Sequence, residues 1–389
     1  MKQEDVNCIL DLGSTKLRLG VISQNLSKEI YFNEKEVKNY LTNKETSLFN
    51  SEQILDETIK EAEKKIGFHL NNLSMLVDSR DIISIDLSIK NNFEGKKISN
   101  ADVNYLLLEA KKIIQENYKD HFVIHSIIQR YILDEKIFTS ISYENLEYNN
   151  LTLEIKFICF PKEIYKKILN LLNKNQVELK NFGCSSYIKS KSYNSQFQEY
   201  ELKIFLDIGF NKTILTIYND QNILCFFKVI KIGSQNITND ISIILKISND
   251  EAEILKKKLH QSEITFSDKT ETNYSNQMDL LKKIIFARIE EIFNLSLNNI
   301  YLFDEIKKKK SILIFTGEGS KILENNSIYL DNFFECFNDI HYFEESSSGI
   351  CMGAHNLYRL EILEKNKAPV KNIQKRGIFE KIFKFLSKI

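Results

Sequence analysis

The chain has 389 residues, 43% apolar and 27% charged, the composition of a globular protein long enough for two or more domains. Its 53 basic and 53 acidic residues balance to zero, which argues against nucleic acid as the main partner. The six cysteines, at 8, 159, 184, 225, 336 and 351, form no Cys-x-x-Cys pair, so neither a zinc site nor a disulfide framework is indicated.

The start, VNCILDLGSTKLRLGVIS, reads as strand, tight turn, strand. No charged-then-apolar leader pattern precedes it. A related pattern returns as LKIFLDIGFNKTILTIYND, with Asp11-Leu12-Gly13 matching Asp207-Ile208-Gly209 at an offset of 196 residues. Each copy has an apolar strand ending in an acid, a Gly-containing turn and a second strand, so two similar lobes are expected. Backbone amides of Gly13, Ser14 and Thr15 can cradle oxygens as an anion nest, and Lys16 can neutralise charge. Asp11 and Asp207 suit a hydrated magnesium ion, which keeps much of its water shell. Turn stabilisation is the plain alternative for each aspartate.

Between the two copies, 74–160 looks self-contained. It shows strands near 82–89, 122–133 and 151–159, and Ser99 is placed to cap a helix over 100–117. Helical stretches follow at 161–175, 239–260 and 277–298, while the polar run 261–276 reads as a loop. SILIFTGEGSK, at 311–321, reads as a buried strand broken by Thr316-Gly317-Glu318-Gly319. Glycines there let backbone approach a ligand closely; an ordinary strand-to-helix turn has the same pattern.

Residues 365–374 read as a linker, and 375–389 as an amphipathic helix. Ile378, Phe379, Ile382, Phe383, Phe385, Leu386 and Ile389 fall in an arc of about 160°. Lys381, Lys384 and Lys388 lie on the other side with Glu380 and Ser387. A dozen helical residues span about 18 Å, short of the ~30 Å of a bilayer core, and no apolar run elsewhere approaches about 20 residues. From Lys365 onward there are eight basic residues and one acid, Glu380, a net +7 that leaves −7 on the rest of the neutral chain. A basic tail on an acidic body fits attraction to anionic lipid; docking on the body is the alternative for any amphipathic helix.

Two Asp-x-Gly hairpins with a later Gly-rich loop resemble the actin and heat-shock ATPase superfamily, and within it the FtsA family of bacterial cell-division proteins, over essentially the whole chain. ILDLGSTKLRLGVIS and IFLDIGFNKTILTIYND look like the family's two phosphate motifs. KIGSQNITNDISIIL is similar to the run that follows the second, with Gly233, Asn236, Thr238 and Asp240 in place, and FARIEEIF to a nucleotide-side helix, with Arg288, Glu290 and Glu291 matching. ISNADVNYLLLEAKKII and HFVIHSIIQRYILDE resemble a helix and strand of the family's inserted domain.

The resemblance implies an α/β, actin-like, duplicated two-lobe fold with a small α+β domain inserted in the first lobe. The first lobe would take 1–73 and 161–199, the insert 74–160, the second-lobe core 200–245 and 311–364, and its outer subdomain 246–310. ATP and Mg²⁺ are implied. The nucleotide would meet Asp11, Gly13, Ser14, Thr15, Lys16, Asp207, Gly209, Asn211, Lys212, Thr213, Gly233, Asn236, Arg288, Glu291, Gly317, Glu318, Gly319 and Ser320, with the metal held through water near Asp11 and Asp207. The implied role is a filament-forming adaptor that tethers FtsZ, by its C-terminal tail, to anionic lipid at the cytoplasmic face of the inner membrane at the division site, and recruits later division proteins. The FtsZ tail would meet roughly 246–312.

The second motif departs from the family's Asp-x-Gly-Gly-Gly-Thr. Phe210 and Asn211 replace two glycines, and Lys212 offers charge in compensation. No water-positioning base is identified, so ATP binding with weak or absent hydrolysis is expected. An inner-membrane pilus-assembly protein of the PilM type and a small-molecule kinase of the same superfamily are the competing readings.

Overall fold

The computed structural model describes residues 5–37, 46–141, 147–261, 271–297, 302–324 and 334–367. In chain order, β1 (Val6–Leu12), β2 (Lys16–Ser23), β3 (Glu29–Glu36), α1 (Thr46–Ile66) and β4 (Asn72–Val77) open the first lobe. The insert comprises β5 (Ile83–Asn92), α2 (Asn100–Asn117), β6 (His121–Leu133), β7 (Lys136–Phe138) and β8 (Asn150–Pro161). Then α3 (Lys162–Lys174), β9 (Glu178–Gly183) and α4 (Ser185–Tyr193) complete the lobe. The second lobe runs through β10 (Leu202–Ile208), β11 (Thr213–Asn219), β12 (Leu224–Ile230), α5 (Ser234–Leu245), α6 (Asn249–Gln261), α7 (Glu271–Leu297), α8 (Phe303–Lys308), β13 (Ser311–Thr316), β14 (Asp339–Tyr342) and α9 (Gly349–Lys367).

The duplication extends to whole sheets. The first sheet has the order β3-β2-β1-β4-β9 and the second β12-β11-β10-β13-β14. In each, the hairpin pairs are antiparallel and the two later strands join in parallel. Even the register repeats: the hairpins close on Leu12↔Leu17 and Ile208↔Thr213, 196 residues apart. The parallel strands β10 and β13 are nearly continuous apolar runs, as strands covered on both faces should be.

The insert is a four-stranded antiparallel sheet, β5-β8-β6-β7. α2 covers it with Val103, Leu106, Ala110 and Ile114. Ser99 marks the helix start as read, its N–H donating to Asp102 Oδ2 at 2.8 Å. Residues 74–77, grouped with the insert by sequence, instead pair in the first sheet as part of β4. A fully buried parallel strand carries no alternation that would have separated it from the insert.

Three helical readings are corrected. The stretch 239–260 is two helices, broken at Lys246, whose φ is 55°. Ser248 and Glu251 start the second with reciprocal side-chain-to-backbone hydrogen bonds. The helix read over 277–298 begins at Glu271, inside the segment read as a loop, and 262–270 lies outside the described residues. Residues 365–367, assigned to the linker, end α9. The rest of the linker and the terminal amphipathic stretch 375–389 lie outside the described residues.

One apolar core joins the first sheet, α4 and α9 to Phe205, Ile214 and Tyr218 of the second sheet. The other core joins Leu206, Leu215 and Phe315 to Ile241, Leu259, Ile285 and Phe293, so the helices of 246–310 share one core with the second sheet. The lobes are thus packed across α4, whose Ser185, Ser186, Ile188, Lys189 and Ser190 are all buried.

Candidate functional site: a cleft between two matched hairpins

The two hairpin turns close alike. Gly13 N donates to Lys16 O at 2.9 Å, and Gly209 N to Lys212 O at 2.9 Å. They face a cleft of about 480 Å³, within the range of small-molecule sites. From the first hairpin, Asp11, Gly13, Ser14, Thr15 and Lys16 line it; from the second, Asp207, Gly209, Phe210 and Lys212; from the Gly-rich loop, Gly317, Glu318 and Ser320. Phe210 is part of the lining, and the cleft remains open beside it. Gly317 has φ +88°, and a Cβ there would strike the Asp207 carboxylate and Ile208 O. Glycine is required at that crossing.

The floor is built by α4, which presents one residue to the first aspartate and two to the second. Ser185 Oγ donates to Asp11 Oδ1 at 2.7 Å. Lys189 Nζ donates to Asp207 Oδ1 at 2.9 Å and reaches Glu345 Oε1 at 3.1 Å. The Ser186 hydroxyl lies 2.6 Å from Asp207 Oδ2 and 2.5 Å from Asp78 Oδ2, and its one proton can serve either. Asp78 also accepts from Ser186 N and Cys184 Sγ, holding the start of α4 as a cap from another element. Glu345 accepts from Gly317 N at 2.7 Å, so Lys189, Glu345 and the Gly-rich loop form one connected network.

Charges in the cleft are mostly paired. Arg18 donates to Asp11 Oδ2 at 3.0 Å and to Glu34 Oε2 at 2.7 Å. Lys16 bridges the lobes, 3.0 Å from Glu34 and 2.9 Å from Glu318. Burial pushes the Asp11 carboxyl up, against the pull of Arg18 and Ser185. Burial also acts upward on Glu318, but hydrogen bonds from Lys16 and Lys321 outweigh it and hold the carboxyl down at about 2. At Asp207, burial is outweighed by Lys189 and Ser186, and the net direction is downward. Burial of the Lys189 ammonium is outweighed by Asp207 and Glu345, which raise it. Lys212 makes no ion pair among the described residues.

Seven of the predicted ligand contacts lie outside the cleft lining: Asn211, Thr213, Gly233, Asn236, Gly319, Arg288 and Glu291. Most of them support the second turn from behind. Thr213 Oγ1 donates to Ile232 O at 2.8 Å. Ser234 N and Gln235 N, at the start of α5, donate to Gly209 O and Phe210 O at 2.9 Å each. Gly233 makes this docking possible, since a Cβ there would lie 2.5 Å from Phe210 O, and Asn236 Oδ1 accepts from Gly233 N at 3.1 Å. A Cβ at Gly319 would crowd Ile208 and Ser234. Arg288 clamps Asp240 through two nitrogens, at 2.6 and 2.9 Å, and also pairs with Glu291, fixing α7 to α5.

Magnesium held through water between Asp11 and Asp207 does not fit this donor set. Both oxygens of Asp11 are engaged, by Ser185 and Arg18, and Asp207 Oδ1 by Lys189, while Asp207 Oδ2 shares the one Ser186 proton with Asp78. One partner of each carboxylate is a fixed cation. Among the described residues, no three His, Cys, Asp or Glu side chains gather into a metal-holding group.

Sequence reasoning missed Arg18, Glu34, Asp78, Ser185, Ser186, Lys189 and Glu345, all in the lining. The available signals were a Ser-Ser pair opening a helix rich in Ser and Lys, and FEESSSG leading into α9. Neither carries a spacing that points to a ligand.

A family model described as cell division protein FtsA matches residues 204–374. The cell division protein FtsA of Bacillus subtilis (strain 168) is 26% identical over 262 residues, 62% of this chain and 58% of that protein. The FtsA of Enterococcus faecalis (strain ATCC 700802 / V583) is 20% identical over 269 residues, 67% of this chain and 58% of that protein. The chain therefore spans 58% of the length of these curated relatives. Among solved structures, a PilM-PilN type IV pilus biogenesis complex matches with a TM-score of 0.60 and 12% identity, covering 92% of this chain and 98% of that chain. At that identity the likeness is one of fold. The chain is similar to FtsA in sequence and has an actin-like α/β ATPase fold.

Proposed function

We propose, from that similarity and fold, an ATP-binding cell-division protein that assembles into actin-like filaments and tethers FtsZ polymers to the cytoplasmic face of the inner membrane, recruiting later division proteins. The observation that carries the nucleotide part is the pair of identically closed turns, Gly13–Lys16 and Gly209–Lys212, facing one cleft. The phosphates would lie between the turns, on the amides of Ser14 and Thr15, since the Gly13 amide expected to join them is spent on Lys16 O, with Lys212 and a released Lys16 as counter-charges. The nucleoside would rest against Gly317–Ser320. Among the described residues, the lining carboxylates Asp11, Glu34, Asp207 and Glu345 are each held by a cation of the protein, which favours ATP as a structural ligand with little turnover.

No described helix is long and apolar enough to cross a membrane. Attachment is assigned to 375–389, whose apolar face would insert partially and reversibly. Filaments carrying many such stretches would bind far more firmly, because later attachments are effectively intramolecular. FtsZ should pellet with anionic vesicles only when this protein is present. Phe383→Glu should abolish vesicle binding while leaving the thermal melt unchanged. Equal co-sedimentation of the two proteins would sink the membrane reading.

The fold likeness to the PilM-PilN complex favours a second reading, pilus assembly at the inner membrane. That reading predicts vesicle pelleting without any effect on FtsZ. A kinase would transfer phosphate from ATP to a small acceptor.

A further inference from the structure

We infer that the cleft binds its nucleotide without a divalent cation, Lys189 filling the cation position beside Asp207 and Lys212 meeting the phosphates. This rests on the nucleotide reading above. Lys189 is held by Asp207 and Glu345, 2.9 and 3.1 Å away, and lines the cleft beside the second turn. A dication hydrated against Asp207 would sit next to this ammonium, in a setting where little water screens the repulsion. Asp78, the remaining carboxylate on the floor, is spent on the start of α4. Lys212 closes the second turn, on the cleft wall and without an ion-pair partner among the described residues. Lys189, from α4, fills the cation position beside Asp207 with its charge met by Asp207 and Glu345, and Lys212 adds one positive charge without an ion pair at the second turn. The first hairpin already has Arg18 against Asp11, so each aspartate already holds a cation of the protein.

The test is titration of the full chain with a ribose-labelled fluorescent ATP, once in millimolar Mg²⁺ and once in excess EDTA. The expected result is the same Kd within about threefold. A loss of tenfold or more in EDTA overturns the inference and leaves the nucleotide reading standing. No binding in either buffer overturns both. Lys212→Ala, at a cleft-wall position, should weaken binding about tenfold in both buffers; unchanged affinity overturns the counter-charge assignment. Lys189→Met, checked first for a cooperative melt, should make binding depend on Mg²⁺.

Discussion

The first hairpin, Val6–Ser23, and the second, Leu202–Asn219, close on the same backbone hydrogen bond yet are held by different neighbours. In the first, the aspartate is neutralised from within, by Arg18 on the facing strand, seven residues on. In the second, the position opposite Asp207 is Ile214, and the cation comes from α4 instead. The second turn is also backed by amides from the start of α5, held close by Gly233. Among the described residues, the hydrogen bonds of the first turn include no such helix start. Duplication has kept the backbone turn, which local residues specify, and has let the charge partners diverge, because those come from elsewhere in the fold.

The largest expected effect tests the source of charge. Lys189→Met leaves Asp207 and Glu345 without their cation and should cost roughly 3 kcal/mol in urea unfolding. Arg18→Met should cost less, about 2 kcal/mol, because Asp11 keeps Ser185 and is already pushed toward its neutral form. Equal losses would break the contrast between the hairpins. Next is the backing helix: Gly233→Ala should cost about 2–3 kcal/mol through collision with the second turn. Gly13→Ala and Gly209→Ala, whose added Cβ atoms would lie 2.9 and 3.0 Å from the matching Lys16 and Lys212 carbonyls, should each cost about 1 kcal/mol and agree with one another. Unequal values for that pair would show that the turns differ where they look alike.

A pH titration probes the lobe that carries the insert. His125 on β6 is half-buried, with Nε2 accepting from Cys184 N at 3.0 Å, and loss of water around the ring holds its imidazole down at about 3. The unfolded chain takes up this proton near pH 6.5 and the folded chain does not. Stability should therefore be full above about 6.5 and fall by at most about 1.4 kcal/mol per pH unit toward pH 3. His125→Gln should flatten that slope; an unchanged slope would count against the assignment. The smallest effect belongs to the bridge between lobes. Lys16→Ala should change stability by under about 1 kcal/mol, since its partners are half-open to water. The same change should let the Glu318 carboxyl rise from about 2 toward its ordinary range, measurable by NMR titration.

Much of the fold was legible from strands that announce themselves. The Asp-x-Gly turns at 11–13 and 207–209 gave the two lobes, and Ser99 gave the start of α2. The polar helix α4 was not legible, since buried Ser and Lys have no apolar period. The capping pair Ser248 and Glu251 was a local signal left unread. At the site, the residues on the turns were legible and those that neutralise them were not. Gly233, Asn236 and Arg288, expected at the nucleotide, lie outside the cleft lining and support the second turn and the pairing of α5 with α7.

By itself, the sequence determined what depends on near neighbours: two hairpins with glycine at the closing position, a strand broken by Gly317, and an apolar-and-basic final stretch. Tertiary structure alone decided which charges meet. Asp11 and Asp207 look equivalent along the chain, and only the passage of α4 between the lobes brings Ser185 to one and Lys189 to the other. Ion pairs act through space between residues as far apart as Lys189 and Glu345, 156 positions, or Lys16 and Glu318, 302 positions. No local pattern encodes such a meeting.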